Sequence, residues 1–275
     1  MRRTFFDVLK DSHVDVNIEL QKLNDLFRQD CCYQWGESYS LYDLVSENFA
    51  KQYKRREHFL SLQELLNAIY LECFDISEFD KYFIYAEMYV DLISILDGSG
   101  NKDIESQKQV IKCQIEMVIS SLGYKFIVVD DRQIIVENNV FANEATQVVT
   151  EFADIKEALS ILEYNHFSNK GNIDRKKEIL IKIASLLEPW RDDLNNNIAF
   201  KDVLKLDNKK VLAVEKLFRM FNTLNIRHNN DGQQLTNMDN NTVEAWYDKI
   251  YTMSLFVILG KDVAQILADF NEFVD

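Results

Sequence analysis

The sequence is poor in the residues that form tight turns. It contains seven glycines and a single proline, Pro189, among 275 residues. Folds rich in β-sheet need many short turns, and those turns use glycine and proline most often. The scarcity of both predicts a mostly helical protein in which polar loops join long helices.

Basic residues are also scarce relative to acidic ones. Lysine and arginine together number 31 against 45 acidic residues, and the formal net charge is −14. Proteins that bind nucleic acid without sequence preference neutralise its phosphates with lysine and arginine. The charge therefore excludes bulk DNA binding over the whole surface and leaves room for a local basic site. The most basic stretch is 51–58, which either grips a phosphate backbone with Tyr53 stacked on a base, or is a solvated helix end.

The four cysteines, Cys31, Cys32, Cys73 and Cys113, form no CxxC pair and match no zinc-site spacing. We expect reduced thiols in the core and no bound metal. The phosphate-binding, dinucleotide-binding, zinc-protease and serine-hydrolase motifs are missing as well, and no cofactor is expected. The N-terminus carries charges within its first ten residues, unlike a signal peptide. No apolar run approaches membrane-spanning length on inspection, so the sequence predicts a cytoplasmic protein that makes no contact with membranes.

Apolar residues recur at helical spacing through most of the chain. In the N-terminal part, this pattern predicts helices at 14–28, 40–53, 61–73, 77–97 and 103–122. In the C-terminal part, it predicts helices at 143–164, from 173 past Trp190, at 208–225, at 242–259 and at 261–273 after Gly260. Pro189 predicts a kink or a break near Glu188 in the second of these. In the fourth, the residues predicted to face inward are Val243, Trp246–Tyr247, Ile250 and Ser254–Val257.

The pattern changes only at 124–137. Apolar, β-branched residues there flank Asp130 and Asp131, which is typical of a hairpin with a two-residue turn. The predicted fold is therefore all-α, consisting of helical bundles with one small β-hairpin. Its predicted parts are an N-terminal helical region at 1–123, a hairpin insert at 124–141 and a C-terminal helical bundle at 142–275.

Two segments of the C-terminal part combine polar side chains with apolar anchors. The first, 163–172, contains His166, and the second, 225–232, contains Arg227 and His228. Histidine transfers protons near neutral pH, and arginine holds a phosphate with its fork of donors. Two histidines and an arginine brought together would resemble the acid–base pair of a metal-independent ribonuclease. Alternatively, both segments are helix caps, in which asparagine and aspartate side chains bond to free helix ends.

The region 155–260 resembles a group of bacterial proteins linked to abortive infection. The resemblance is carried by Tyr164-Asn165-His166, by Lys170-Gly171-Asn172-Ile173, by Leu187-Glu188-Pro189 and above all by Asn225-Ile226-Arg227-His228-Asn229-Asn230. The helical layout around the Arg-His pair also looks like a HEPN domain. The motif of that family is an arginine followed by a polar residue, with a second histidine a few residues later. Arg227 and His228 match the first two places, whereas 231–234 contain no histidine.

The resemblance implies a small helical bundle, commonly dimeric, that acts on RNA in phage defence or as a toxin. It implies that Arg227 binds the scissile phosphate and that His228 is the acid–base group, with His166 as a further candidate. The residues that it implies for binding are Asn165, Asn225, Asn229, Asn230 and Lys170. A non-catalytic helical protein-interaction module, with an unknown partner, is the alternative, and the resemblance does not cover 1–140.

Overall fold

The computed structural model describes residues 14–34, 37–97, 100–204, 206–226 and 238–274. In these ranges the chain is mostly helical, as predicted, and its strands form three two-stranded sheets. The chain divides into two compact units, the first ending at Ile135 and the second beginning at Val136. Each unit is described on its own below.

The first unit contains five helices and two hairpins in the described ranges. The helices are α1 (Val16–Arg28), α2 (Leu41–Gln52), α3 (Leu62–Glu72), α4 (Glu78–Ile93) and α5 (Lys102–Ser121). The hairpins are β1 (Asp30–Gln34) with β2 (Glu37–Ser40), and β3 (Tyr124–Val129) with β4 (Arg132–Glu137). Each helix begins after a side chain that accepts a hydrogen bond from its first turn, namely Asp15, Ser40, Ser61, Ser77 and Asn101.

The core of the first unit is built around α4. Nine of its sixteen residues are buried, including Tyr82, Phe83 and Tyr89. A helix that is apolar on most of its circumference must be surrounded by other elements. The helices α1, α2 and α5 all contact it, and the hairpin is tied to it by the Ile135 amide, which donates to the Glu87 carboxylate at 2.6 Å.

The predicted hairpin is confirmed, and its turn has the expected chemistry. Asp130 and Asp131 have φ angles of 47° and 60°. Two consecutive residues in the left-handed region define the turn that best matches the twist of paired strands, and aspartate tolerates that region better than most residues. The prediction of a single hairpin is wrong, because β1–β2 and a short pair in the second unit also form. Those strands are too short to show a clear alternation.

The basic stretch at 51–58 serves the fold of the first unit. Tyr53 donates its hydroxyl to Asp91 at 2.5 Å, and Arg55 forms an ion pair with the same carboxylate. Arg55 also donates to the backbone carbonyl of Asp131 at 2.9 Å. Because Tyr53 is committed to Asp91, the structure gives no support to base stacking by this residue.

The cysteines are free, as expected. Cys32 and Cys73 are buried, Cys31 is half-buried, and Cys113 is exposed. The prediction of core thiols is therefore wrong for Cys113, which lies on the outer face of α5.

The second unit contains seven helices in its described part: α6 (Val140–Thr150), α7 (Ile155–Glu163), α8 (Ile173–Leu187), α9 (Arg191–Asn196), α10 (Ile198–Val203), α11 (Leu212–Thr223) and α12 (Asn240–Val274). A short hairpin, β5 (Leu206–Asp207) with β6 (Lys210–Val211), precedes α11. Helix α8 ends at Leu187 and a 3-10 turn follows at Glu188–Trp190, so the helix is broken near Glu188, which is one of the two outcomes predicted for the proline. The helix predicted at 143–164 is two helices, because Asp154 caps a new start by accepting from the Lys156 amide.

Helix α12 organises the second unit, since α6, α8, α10 and α11 all pack against it. The prediction of two helices separated at Gly260 is wrong. Gly260 is needed for close packing and does not end the helix: a Cβ at this position would lie 2.5 Å from Cε2 of the buried Phe200 ring. The next residue, Lys261, places its ammonium 3.5 Å and 3.8 Å from the ring centroids of Phe152 and Trp190. This cation–π contact accommodates a charge in an apolar stretch of helix.

The continuous helix α12 bears on the expectation that no apolar run approaches membrane-spanning length. Among the described residues, Asn240–Phe270 is long and apolar enough to cross a membrane by length and composition, with a mean hydropathy of 1.4 in its most apolar window. Lys261 and Asp262 interrupt this apolar run, so its length is not evident from the sequence. Core helices of globular proteins reach the same length and composition, so this property by itself does not assign a membrane span.

The inward face of α12 differs from the prediction at two residues. Val243, Tyr247 and Ile250 are buried as predicted, and so are Ser254, Leu255 and Val257. Trp246 is only half-buried, and Phe256 is exposed. Trp246 lies beneath the ammonium of Lys249, at 4.4 Å from the ring centroid.

We expect Gly260→Ala to destabilise the second unit even though alanine favours helix. Alanine gains about 1 kcal/mol in helix propensity, whereas forcing a methyl group against a packed ring costs about 1–3 kcal/mol. Thermal unfolding should show a lower melting temperature for Gly260→Ala. The double variant Gly260→Ala/Phe200→Leu should recover part of the loss, and a Gly260→Ala protein that melts above the parent would contradict the packing argument.

Candidate functional site

The first predicted site segment is an ordered loop between α7 and α8. A 3-10 turn at Phe167–Asn169 follows His166, whose Nδ1 accepts from the Ser168 amide at 3.3 Å and lies 2.7 Å from its hydroxyl. His166 is half-buried and its backbone pairs with Val136. Its Nδ1 therefore serves as a cap for the turn.

The interior of the loop is held by Asn169, which is 2% exposed. Its amide donates to the carbonyls of Glu163 and Tyr164 at 2.8 Å and 3.3 Å. These carbonyls lie at the C-terminal end of α7, where the last carbonyls of a helix have no partner within the helix itself. The sequence alternative of asparagine side chains as helix caps thus describes this loop well.

The loop is fastened to α12 by three hydrogen bonds. Tyr164 donates its hydroxyl to Asp248 at 2.8 Å, and Asn165 donates its amide to the Tyr251 hydroxyl at 2.6 Å. The amide of Gly171 donates to Glu244 at 2.8 Å. The rings of Tyr164 and Tyr251 stack with centroids 4.0 Å apart.

Lys176, at the start of α8, completes this cluster. Its ammonium lies 2.7 Å from the carboxylates of both Glu244 and Asp248, and its side chain is 9% exposed. The bond from Lys176 and the Gly171 amide lower the pKa of Glu244 below its ordinary value of 4.5. Burial, together with the bond to Asp248, raises the pKa of Tyr164 far above its ordinary value.

These pKa shifts decide what the cluster can do. A general acid or base works best with a pKa near the operating pH. Glu244 is shifted downwards and Tyr164 upwards, so both move away from neutrality. Glu244 and Tyr164 are therefore suited to anchoring the loop and not to moving protons at pH 7.

The second predicted segment begins at the end of α11. Asn225 is 9% exposed and has a φ of +59°, the left-handed conformation that commonly ends a helix. The amide of Ile226 donates to the Phe221 carbonyl at 2.8 Å, and Ile226 is 2% exposed. Arg227, His228, Asn229 and Asn230 lie outside the described residues.

The chain is described again from Met238, where Asp239 caps the start of α12 by accepting from the Thr242 amide at 3.0 Å. Helix α11, which ends before the Arg-His segment, packs against α12, which begins after it. Gly171 contacts α12 at Glu244, about one turn from the helix start. The structure thus brings the first loop next to the helix that follows the second segment.

Lys170 lies at this junction. Its side chain is exposed, and its positive charge contributes to the lowered pKa of Glu244. Of the residues predicted for binding, Asn165 and Asn225 hold the fold together, whereas Lys170 presents its charge to solvent.

Sequence reasoning missed the residues of α12 that receive the loop. Glu244, Asp248 and Tyr251 are spaced by four and three residues, so they share one face of a helix. That spacing is visible in the sequence, but the apolar stripe beside it dominated the interpretation. In the described ranges, no group of three or more histidine, cysteine or acidic side chains could hold a metal ion.

Comparison with known proteins finds no relative for this chain. No family model, no curated protein and no solved structure matches it.

We predict that acid stability depends on Glu244. Its pKa is lower in the folded than in the unfolded chain, so the folded state gains stability above pH 4.5 and loses it as the pH falls through the folded value. Melting temperatures measured from pH 7 to pH 3 should fall less steeply for Glu244→Gln than for the parent. Glu144→Gln, an exposed substitution on α6, should keep the parental slope, and identical slopes for all three proteins would contradict the assignment.

Proposed function

We propose that the second unit acts on RNA as a HEPN-like, metal-independent ribonuclease of a phage-defence or toxin system. The supporting observation is the junction at the start of α12. The loop with exposed Lys170 contacts the first turns of α12, which begins ten residues after Asn230. Two segments that are 60 residues apart in the sequence, and that carry the resemblance, therefore border the same helix.

In this proposal, Arg227 holds the scissile phosphate, because its planar guanidinium donates two parallel hydrogen bonds. His228 moves the proton, since histidine titrates near neutral pH. Lys170 adds a positive charge for the RNA backbone. His166 has a structural role, because its Nδ1 caps the turn at Ser168.

The net charge of −14 limits how RNA is recognised. An RNA bound through a few cations releases few counterions, so its affinity falls only gently with salt. The proposal therefore requires binding at single-stranded or looped RNA, held by a small site and not by an extended basic surface.

A second candidate function is a non-catalytic protein-interaction module. It is favoured by the large apolar side chains that the second unit exposes, such as Phe141 at 67%, Ile198 at 77% and Phe270 at 61%. Exposed apolar patches of this kind mark interaction sites. Under this candidate, the Arg-His segment is a helix cap.

The two candidates are separated by variants in which activity and stability are measured together. On labelled single-stranded RNA with EDTA present, we expect Arg227→Ala and His228→Ala each to lower the cleavage rate by about 100-fold or more, the usual contribution of an acid–base group, with unchanged melting temperatures. His166→Ala should retain cleavage and lower the melting temperature, because the turn loses its cap.

In cells, the same two substitutions should abolish toxicity or phage protection. Full cleavage by a stably folded Arg227→Ala protein would remove this site from the proposal. An inactive parent protein, or losses of activity that follow losses of stability in every variant, would favour the interaction module.

A further inference from the structure

Helix α12 has a second apolar face in addition to the one that builds the core. The core face contains buried residues such as Val257, Ile258 and Ala264. The second face, called the seam below, consists of Phe256, Leu259, Val263, Ile266, Phe270 and Phe273. All but the half-buried Leu259 are exposed.

The spacing of the seam is regular. Its residues follow one another at intervals of three, four, three, four and three. Alternating intervals of three and four residues are those of the heptad repeat of a helix that packs along the length of another helix. A helix that only covers its own globular unit needs a single apolar face, so the seam is unexplained by the fold of the second unit.

The seam borders an open apolar groove. The cavity has a volume of about 450 Å³ and is lined by Phe256, Leu259 and Val263 of the seam, together with Phe141 and Phe200. Phe141 is 67% exposed, so the apolar surface continues from α12 onto α6. A helix lying along the seam would also cover this groove.

The exposed area is close to what a stable interface requires. Phe256, Phe270 and Phe273 are 46%, 61% and 93% exposed, and Phe141 adds 67%. With roughly 200 Å² for each full aromatic side chain, these four residues alone leave about 500 Å² in water. A standard interface buries about 800 Å² on each partner, so these rings supply more than half of it.

We infer that the seam is a homotypic interface, in which α12 of one copy pairs along its length with α12 of a second copy. The heptad pattern supports a second copy as the partner. A seam with this spacing packs best against another helix with the same spacing, and α12 of a second copy is such a helix. The inference does not depend on the proposed RNA cleavage.

The charges beside the seam favour a parallel pair of α12 helices. In an antiparallel pair, Asp262 and Asp269 of the two copies would face each other, and their like charges would repel. In a parallel pair, each aspartate lies opposite the apolar flank that includes Leu267.

The same charges argue against a lipid surface as the partner of the seam. The charged residues that follow Lys261 are all acidic. A helix that lies on a lipid surface needs basic residues there to attract anionic headgroups.

The experiment measures the mass of the full chain by sedimentation equilibrium over a range of concentrations. We expect the parent protein to be a dimer. Phe270→Glu and Ile266→Glu should each be a monomer, because each should lower the dimer association constant by at least 100-fold. Phe270→Leu should remain a dimer, because leucine suits a heptad position. Gln265→Glu is the matched control: it adds one negative charge to the same turn of α12, off the seam, and should leave the dimer intact.

Circular dichroism of each variant verifies that the helices persist. A parent protein that is monomeric at about 100 μM, or a Phe270→Glu variant that still dimerises, would overturn the inference. Binding of a monomeric parent to phosphatidylcholine vesicles would instead assign the seam to a lipid surface, which also overturns it. Loss of RNA cleavage with an intact dimer would affect only the proposed activity.

Discussion

Packing against α12 is the constraint on which the second unit depends. Four helices pack on this one helix, and the loop that follows α7 is fastened to it by Tyr164, Asn165 and Gly171. Such a helix must be continuous and must accept close neighbours. Gly260 meets both needs, because the absence of a side chain lets the Phe200 ring approach the backbone. The position that looks like a helix break in the sequence is therefore the point of closest packing.

The polar cluster on α12 shows how a charged group is accommodated beside a core. Lys176 is almost fully buried, and two carboxylates, Glu244 and Asp248, compensate its charge. Breaking a buried pair by removing one partner leaves an uncompensated charge, which is far more costly than losing a surface pair. The cluster thereby fixes where the loop with Lys170 lies relative to the start of α12. A site built from that loop is therefore positioned by contacts that take no part in the reaction.

Local signals in the sequence predicted much of the fold. The Asp130–Asp131 turn and the helical spacing of apolar residues depend on neighbours within a few positions, so they can be recognised without knowledge of the tertiary structure. The errors arose where distant contacts decide the outcome. Gly260 needs Phe200, 60 residues away, and Lys261 needs Phe152 and Trp190. Within the candidate site, the capping role of His166 follows from a neighbour two residues on, whereas the partnership of Asn165 with Tyr251 could not be inferred from spacing.

The position of Lys261 has an optical consequence. Its ammonium lies 3.8 Å from the centroid of the Trp190 indole, and a cation so near an excited ring shifts the energy and the yield of its emission. Trp190 is 9% exposed and comes from the turn after α8, so its contact with α12 exists only while these two elements are docked. In a variant that carries phenylalanine in place of the other two tryptophans, Trp35 and Trp246, the fluorescence of Trp190 therefore reports on the middle of α12, at the point where the core face and the seam lie side by side.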